Sequence, residues 1–460
     1  MKKIAYIKEK IESFSNTIYI PGDKSLSIRW ILMASQAVGT SIAYNLLRSE
    51  DVLTALNAIK KLGISYKINK NNCKIYGKGL NGFNFKNNTI INAGNSGTFS
   101  RLIFGLLVKT KNQIILKGDN SLSKRDFSRV IKPMQMFGQN IKSKNEKLPI
   151  KIKGTNYPRP IIYDEKKGSA QVKSCILLAA MKTPGKTKIK SIPSRDHTEK
   201  LFKYLNLPIK IKKYKKKDFI SYEGIKNFKG FNYKIPGDIS SSSFFMVLTL
   251  LTKNSKILIK NVNVNKSRTG IIDILKIMKA KITLKNKKNY NGEYIADILV
   301  KSSSKLKPIN CPLNMNSRSI DEFLLIFLVC SVANGISKFS KIGELRNKET
   351  DRLKFANKFL NKIGIKTEVT RDSFKIYGNP NLKLNKTLGK YEWSLQQARK
   401  FVEKYIHHYN ENQFHSAIGY VSSKEKLYER ENKIFQQRDN KLEEVSKRRQ
   451  LNEKMKLRHV

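Results

Sequence analysis

Five times along the chain a turn of small and polar residues gives way to an apolar run of helical length. The stretches are "PGDKSLSIRWILMA" from near Gly22, "NAGNSGTFSRLIFGLL" from near Gly94, "KGSAQVKSCILLAAM" from near Gly168 and "PGDISSSSFFMVLTLL" from near Gly237. A fifth, "NSRSIDEFLLIFLVC", opens near Ser317 without the glycine. The starts lie roughly 70 to 80 residues apart, longer than common solenoid repeats and suited to a compact supersecondary unit used several times. Between them run β-rich pieces such as "NQIILKGD", "KIKSIP", "SKILIKNVNV" and "ISKFSKIGEL", where Ile and Val are bounded by Gly, Asn and Lys. The pattern predicts an α/β fold in which each unit feeds a helix with a polar N-terminus. Such an end exposes unpaired backbone N–H groups and the positive end of the helix dipole, and both favour a bound anion. Ordinary N-capping accounts for any one of these turns, because Ser and Asn are preferred caps. Five of them with Lys, Arg and Gln alongside point to anion binding.

Composition sharpens this only in part. At 460 residues with 40% hydrophobic positions, two or more domains with real cores are expected. Lys and Arg number 91 against 35 Asp and Glu, a formal charge of +56. That excess has two readings: a surface for nucleic acid, acidic membranes or phosphorylated metabolites, or a compositional bias that also shows in abundant Asn and Ile. Cys73, Cys175, Cys311 and Cys330 are far apart and form no CxxC pair, so buried free thiols are expected, and neither a disulfide framework nor a zinc site. The opening "MKKIAYIKEKIESF" lacks the apolar centre of a secretory signal. The run "FLLIFLVCSVA" from Phe323 falls short of the ~20 residues of a membrane span. The expected location is a reducing cytoplasm, with no membrane association.

Eight stretches then resemble one family in order and spacing over about residues 15 to 386: "GDKSLSIR", "GNSGTFSRL", "GDNSLSKR", "GSAQVKS", "SRDHTEKL", "PGDISSSSF", "IDEF" and "ELRNKETDRL". The family is 5-enolpyruvylshikimate-3-phosphate synthase, which joins phosphoenolpyruvate to shikimate 3-phosphate. The related enzymes that act on a UDP-sugar carry Lys-Asn where this chain has Lys24-Ser25, and usually a reactive loop cysteine; neither is evident here. The resemblance implies a two-domain enolpyruvyl transferase fold of repeated βαβ-containing units, with the recurrent turns facing a cleft. Residues 1–21 and 238–386 would form one lobe, incomplete at its end, and 22–237 the other.

The resemblance also assigns roles. Lys24 would contact both substrates; Ser25, Arg29, Ser169, Ala170, Gln171, Ser194 and Lys348 would hold shikimate 3-phosphate. Arg29 suits a carboxylate or phosphate because its planar fork donates two parallel bonds. Asn95, Gly97, Arg125, Gln171 and Arg352 would hold phosphoenolpyruvate, with Gly97 permitting close backbone approach. Asp126-Phe127 replace the Pro-Met usual after the family's arginine. Asp321 would bind shikimate 3-phosphate and act as base on its 5-hydroxyl, while Glu349 and Lys24 would exchange protons with the methylene carbon. Glu322 and Asp351 read as supporting groups. His197, in "SRDHTE", fits a bacterial subset of the family and has two readings, structural histidine or site residue. No metal or organic cofactor is implied, and a monomer is expected.

The pattern breaks after residue 386. The sixth turn should fall near residues 390–395 as Asp-His-Arg before a small-residue helix, followed later by a lysine, both cations touching phosphoenolpyruvate; neither motif is present. Residues 387–460 instead resemble the C-terminal end of integrase-type insertion-sequence transposases, through "YIHHYNENQFHSAIGYVSS". That resemblance starts beyond the position of the last catalytic carboxylate, so no strand-transfer centre is carried over. His407, His408 and His415 have no zinc-site spacing. The end "RENKIFQQRDNKLEEVSKRRQLNEKMK", rich in helix formers with few apolar positions, reads as a solvated helix or a fraying one. A fusion with five of six units and a mostly helical tail is therefore expected, with turnover severely reduced or absent and no specific nucleic-acid binding. The competing readings are a catalytically dead fusion that binds nucleic acid non-specifically through its basic surface and tail, and an unfolded by-product of gene disruption.

Overall fold

The computed structural model describes residues 12–382, apart from Lys216 and Glu349. The tail, with His407, His408 and His415, lies outside the described residues. One unit is seen whole between residues 89 and 153. Strand Thr89–Asn92 lies parallel to Ile114–Lys117, helix Gly97–Leu106 connects them, and helix Ser128–Met136 leads into the hairpin Asn140–Lys144 and Lys147–Lys153. The hairpin's second strand pairs antiparallel with Ile114–Lys117, so the sheet is ordered first, second, fourth, third. "KLPIKIK" shows why this becomes a strand: Leu148, Ile150 and Ile152 point into the core, while Lys147, Pro149, Lys151 and Lys153 are exposed. The next unit repeats the order, with strands Ile162–Glu165, Lys186–Ser191, Ile209–Tyr214 and Lys217–Glu223 and helices Ala170–Ala180 and His197–Tyr204.

Two units exchange their first strands. Ser15–Tyr19 pairs parallel with Lys256–Asn263, the strand that follows helix Ile239–Leu251. Asn232–Lys234 pairs parallel with Val38–Tyr44, the strand that follows helix Lys24–Ala34. The chain thus crosses twice between the same two sheets, each time through Ile-Pro-Gly-Asp, at Ile20–Asp23 and Ile235–Asp238. The crossings lie side by side: the Asp23 N–H donates to the Pro236 carbonyl at 2.8 Å and the Asp238 N–H to the Pro21 carbonyl at 3.1 Å. Glycine is required at the first crossing, where a Cβ on Gly22 would sit 2.0 Å from the Asn45 carbonyl oxygen. A fifth sheet, Gly335–Phe339, Phe374–Gly378 and Thr367–Val369, carries helices Phe323–Cys330 and Arg352–Lys362, with Asn310 bridging Lys338 in parallel where the other units place a first strand.

One continuous apolar core runs from Leu26 to Ile235 and joins the three sheets of that stretch. Helix Ala170–Ala180 is buried from Val172 through Ala180. It is enclosed on all sides, and its two buried polar side chains are partnered: Lys173 lies 2.7 Å from Glu199 and Ser174 accepts from Arg29. All four cysteines are free and buried, and burial pushes the Cys311 thiol up to about 11 and the Cys73 and Cys330 thiols up to about 12. No helix among the described residues is long and apolar enough to cross a membrane.

The long hairpin Lys281–Tyr290 and Glu293–Lys301 reaches helix His197–Tyr204 at its turn. There the buried Glu293 Oε1 lies 2.6 Å from His197 Nδ1, and its other oxygen faces Lys200 Nζ at 3.4 Å and accepts from Asn265 Nδ2 at 3.0 Å. Burial pushes the Glu293 carboxyl up, but His197 and Lys200 outweigh it and hold the group below its usual range. Its contribution to stability is therefore full above the unfolded value of about 4.3 and is lost as acid carries the pH through the lower folded value. Glu293→Gln is expected to cost about 2–4 kcal/mol at neutral pH, read as a lowered urea midpoint, and that deficit should shrink below pH ~4 as the parent loses the same charge.

Candidate active site

Four of the five predicted helix starts are capped by their own side chains. Asp23 accepts from the Leu26 N–H at 2.9 Å, Ser96 from Phe99 at 3.4 Å, Ser169 from Val172 at 3.4 Å and Asp238 from Ser240 at 2.7 Å. Capping is thus real and uses one N–H at each end, leaving others of the first turn available. The fifth helix starts later than the sequence suggests. It begins at Phe323 rather than near Ser317, because residues 316–322 form successive turns, with Arg318 Nη2 bound to Asp273 at 2.5 Å. Those turns carry Asp321.

The starts converge. Lys24 takes its backbone N–H to Asp238 Oδ2 at 3.3 Å, which sets helices Lys24–Ala34 and Ile239–Leu251 end to end. Its half-exposed side chain reaches Asp51 at 3.0 Å. Burial lowers the Lys24 pKa, but Asp51 outweighs it, so the ammonium is held above its ordinary value and is an acid at neutral pH. Ser25, half-buried, offers its carbonyl to Arg29 Nη1 at 3.1 Å. Arg29 is buried and also donates to Thr198 Oγ1 at 2.8 Å and Ser174 Oγ at 3.1 Å. Three of its N–H groups are occupied within the protein, and burial lowers its pKa to about 10, still cationic at neutral pH.

Ser174 belongs to helix Ala170–Ala180, and one turn earlier Gln171 Nε2 donates to Thr98 Oγ1 at 3.2 Å, drawing in helix Gly97–Leu106. Ser169 and Ala170 are half-buried at that start. Ser194 Oγ is buried and makes no hydrogen bond. Arg125 Nη2 donates to Asn95 Oδ1 at 2.9 Å. The Asp126-Phe127 departure leaves this contact intact: Asp126 accepts from the Ser128 N–H at 2.7 Å, and Phe127 is buried beneath Arg101, whose guanidinium lies 4.9 Å from the ring centroid. A Cβ on Gly97 would meet Arg125 Nη1 at 2.9 Å and Arg101 Nη1 at 3.0 Å. Gly97→Ala is expected to push Arg125 aside and break its bond to Asn95, at a cost of about 1 kcal/mol read as a lowered urea midpoint.

Asp321 sits among cations. Arg195 Nη2 donates to its Oδ2 at 2.5 Å, and Arg352 Nη1 lies 3.6 Å from Oδ1 while donating to the Ile320 carbonyl at 3.4 Å. Burial pushes the carboxyl up, but Arg195, Arg268 and Lys348 outweigh it and hold it far below the usual range. Lys348 itself pairs with Glu344 at 3.4 Å. Lys24 also feels Asp321, so the two groups share one electrostatic neighbourhood. Glu349 lies outside the described residues. Among the described residues no group of three or more His, Cys, Asp or Glu is placed to hold a metal ion.

Of the residues singled out from sequence, Lys24, Ser25, Arg29, Ser169, Ala170, Gln171, Asn95, Gly97 and Arg125 are tied together through three neighbouring helix starts. Asp321, Lys348 and Arg352 form a second group, which Arg195 joins to the Ser194 loop. His197 is buried, with its Nδ1 against Glu293 Oε1. Arg195 was missed although it stands between Ser194 and His197 in a motif already noted; its charge beside two named residues was the available signal. Asp51 and Thr98 carried no signal beyond position.

The arrangement gathers cations and helix starts around Lys24 and Asp321, as two anionic reactants demand. The family model described as EPSP synthase (3-phosphoshikimate 1-carboxyvinyltransferase) matches residues 8–388. A curated 3-phosphoshikimate 1-carboxyvinyltransferase of Ruthia magnifica is 41% identical over 374 residues, 81% of this chain and 85% of the relative. That of Vesicomyosocius okutanii is 42% identical over 379 residues, 81% and 86% of the two chains. An EPSP synthase structure from Acinetobacter baumannii superposes with a TM-score of 0.71 at 36% identity, covering 80% of this chain and 82% of the other. None of these relatives supports a nucleic-acid-binding product. Agreement in sequence, in repeated sheet-and-helix architecture and over most of both lengths means that the chain belongs to the EPSP synthase family.

Proposed function

We propose that the chain transfers the enolpyruvyl group of phosphoenolpyruvate to the 5-hydroxyl of shikimate 3-phosphate and releases phosphate, a step of aromatic amino acid biosynthesis. The observation that carries this reading is the placing of Asp321, clasped by Arg195 and Arg352, in the same electrostatic neighbourhood as Lys24. The hydroxyl oxygen bonds to C2 of phosphoenolpyruvate while C3 gains a proton; the tetrahedral adduct then loses a C3 proton and phosphate. Lys24, held protonated, suits the proton-donating half, and Glu349 shares that role by family resemblance. Asp321 suits the base, yet while Arg195 donates to it the carboxylate is too weakly basic to take a proton. The substrate hydroxyl must displace Arg195, which frees that guanidinium for a substrate anion. Arg195→Gln is accordingly expected to shift the acid limb of the rate profile to higher pH, by relieving the hold on Asp321.

In this reading residues 1–21 with 238–386 and residues 22–237 are the two lobes of a monomer, and closing them over the substrates excludes water. Residues 387–460 are a transposase-derived replacement of the last unit, which leaves the site short of two cations and makes turnover slow. Phosphorus NMR of the purified chain with both substrates tests the function. Slow appearance of inorganic phosphate with an enolpyruvyl ether of shikimate 3-phosphate is expected; neither product formation nor saturable substrate binding would refute it.

A further inference from the structure

Arg268, so far only one of the cations around Asp321, also occupies the junction of the two chain crossings. It is buried, in the turn before helix Gly270–Ile277. Its Nη1 lies 3.5 Å from Asp23 Oδ2, and its Nη2 lies 3.8 Å from both Asp238 Oδ1 and Glu322 Oε1 and donates to Ser240 Oγ at 2.6 Å. Ser240 Oγ in turn donates to Glu322. The three carboxylates are the cap residues of helices Lys24–Ala34, Ile239–Leu251 and Phe323–Cys330. Each stands beside a residue of interest: Asp23 precedes Lys24, Asp238 accepts the Lys24 N–H, and Glu322 follows Asp321.

We propose that Arg268 is a positioning residue, a buried cationic joint that fixes Lys24 and Asp321 relative to each other through Asp23, Asp238 and Glu322. This rests on the function proposed above. Without the guanidinium, Asp23 and Asp238 would face each other across the paired crossings with no buried cation between them, and repulsion would separate the very strands whose N–H groups join Asp23 to Pro236 and Asp238 to Pro21. At 3.5–3.8 Å the carboxylates are held by charge rather than by short direct bonds, so one guanidinium serves all three. A lysine ammonium, a compact point charge without the planar fork, cannot span them. The turn is itself anchored: Asn265 Nδ2 donates to Asp196 at 2.7 Å and Glu293 at 3.0 Å, so the joint is also tied to the segment that carries Arg195.

The test compares the full chain with Arg268→Lys by amide hydrogen exchange and by phosphate release. Exchange at Asp23 and Asp238 should become at least about tenfold faster while helix Gly97–Leu106 stays protected. The kcat should fall about a hundredfold, as a misplacement near 1 Å does, with the shikimate 3-phosphate Kd within about threefold. Unchanged exchange at both crossings, or acceleration spread evenly over the protein, overturns the proposal. If Arg268→Lys fails to fold, Glu322→Gln decides: the crossings should stay protected while kcat falls about tenfold, and an unaltered kcat overturns the proposal. A parent chain with neither phosphate release nor saturable substrate binding would refute the proposed function, while the exchange comparison would still decide the joint.

Discussion

Replacing residues 387–460 with the last unit of a curated relative's synthase is expected to raise phosphate release about 10²- to 10⁴-fold. The family match stops at residue 388, and the arginine and lysine motifs that the resemblance leads one to expect at phosphoenolpyruvate are missing beyond it. A hydrogen bond to a charged group contributes about 1.5–3 kcal/mol, so two together supply about 3–6 kcal/mol, and a factor of ten in rate corresponds to ~1.4 kcal/mol. Five unit cores are already built between residues 12 and 382, which gives the graft a folded partner. The gain should fall mainly on phosphoenolpyruvate, with shikimate 3-phosphate affinity much less changed, because most of its proposed contacts come from helices Lys24–Ala34 and Ala170–Ala180. Steady-state kinetics of the graft check this; a graft that folds and stays slow would place the defect within residues 1–386.

In that restored protein, Asp321→Asn should lower kcat by about 10³-fold or more, within the range for loss of a positioned general base. The amide keeps the shape but cannot accept the hydroxyl proton, and it leaves Arg195 and Arg352 without the carboxylate that holds them 2.5 and 3.6 Å away. The effect should lie in kcat more than in binding. The sign with pH follows from the cations: Asp321 is held far below the ordinary carboxylate range, so its ionised form persists well into acid, and no loss of rate between pH 5 and 7 should come from its protonation. A kcat/KM profile that fell with an apparent value near the ordinary ~4 for aspartate would show that Arg195 does not face Asp321 in the free enzyme.

The repeated units were legible because each unit opens with the same physical device, a small-residue turn feeding an apolar helix, and because strands such as "KLPIKIK" alternate cleanly. Gly97 and Gln171 fall at two of those helix starts, Gly97–Leu106 and Ala170–Ala180, where the local motifs put them. The strand exchange was implied only by the resemblance, which placed residues 1–21 with 238–386; no pattern in the residues themselves showed it. Ser15–Tyr19 and Asn232–Lys234 look like ordinary first strands, and only the three-dimensional pairing shows that each completes the other's sheet; the shared Ile-Pro-Gly-Asp was the available hint. Long-range pairs were hidden too. Arg195 with Asp321, His197 with Glu293 and Arg268 with Asp23 join residues whose separation in sequence carries no periodicity. The late start of helix Phe323–Cys330 escaped because "NSRSIDE" has the composition of a helix cap while its turns are set by tertiary contacts such as Arg318 with Asp273.

Calorimetric titration of shikimate 3-phosphate into the purified chain at about 150 mM salt, followed by phosphoenolpyruvate, tests the gathered helix starts most directly. A saturable one-to-one isotherm that shikimate and inorganic phosphate do not reproduce, with phosphoenolpyruvate binding tighter once the first ligand is seated, is the predicted result. Heat that is alike for all three compounds and fades with added salt would mean a diffuse basic surface instead of a built site.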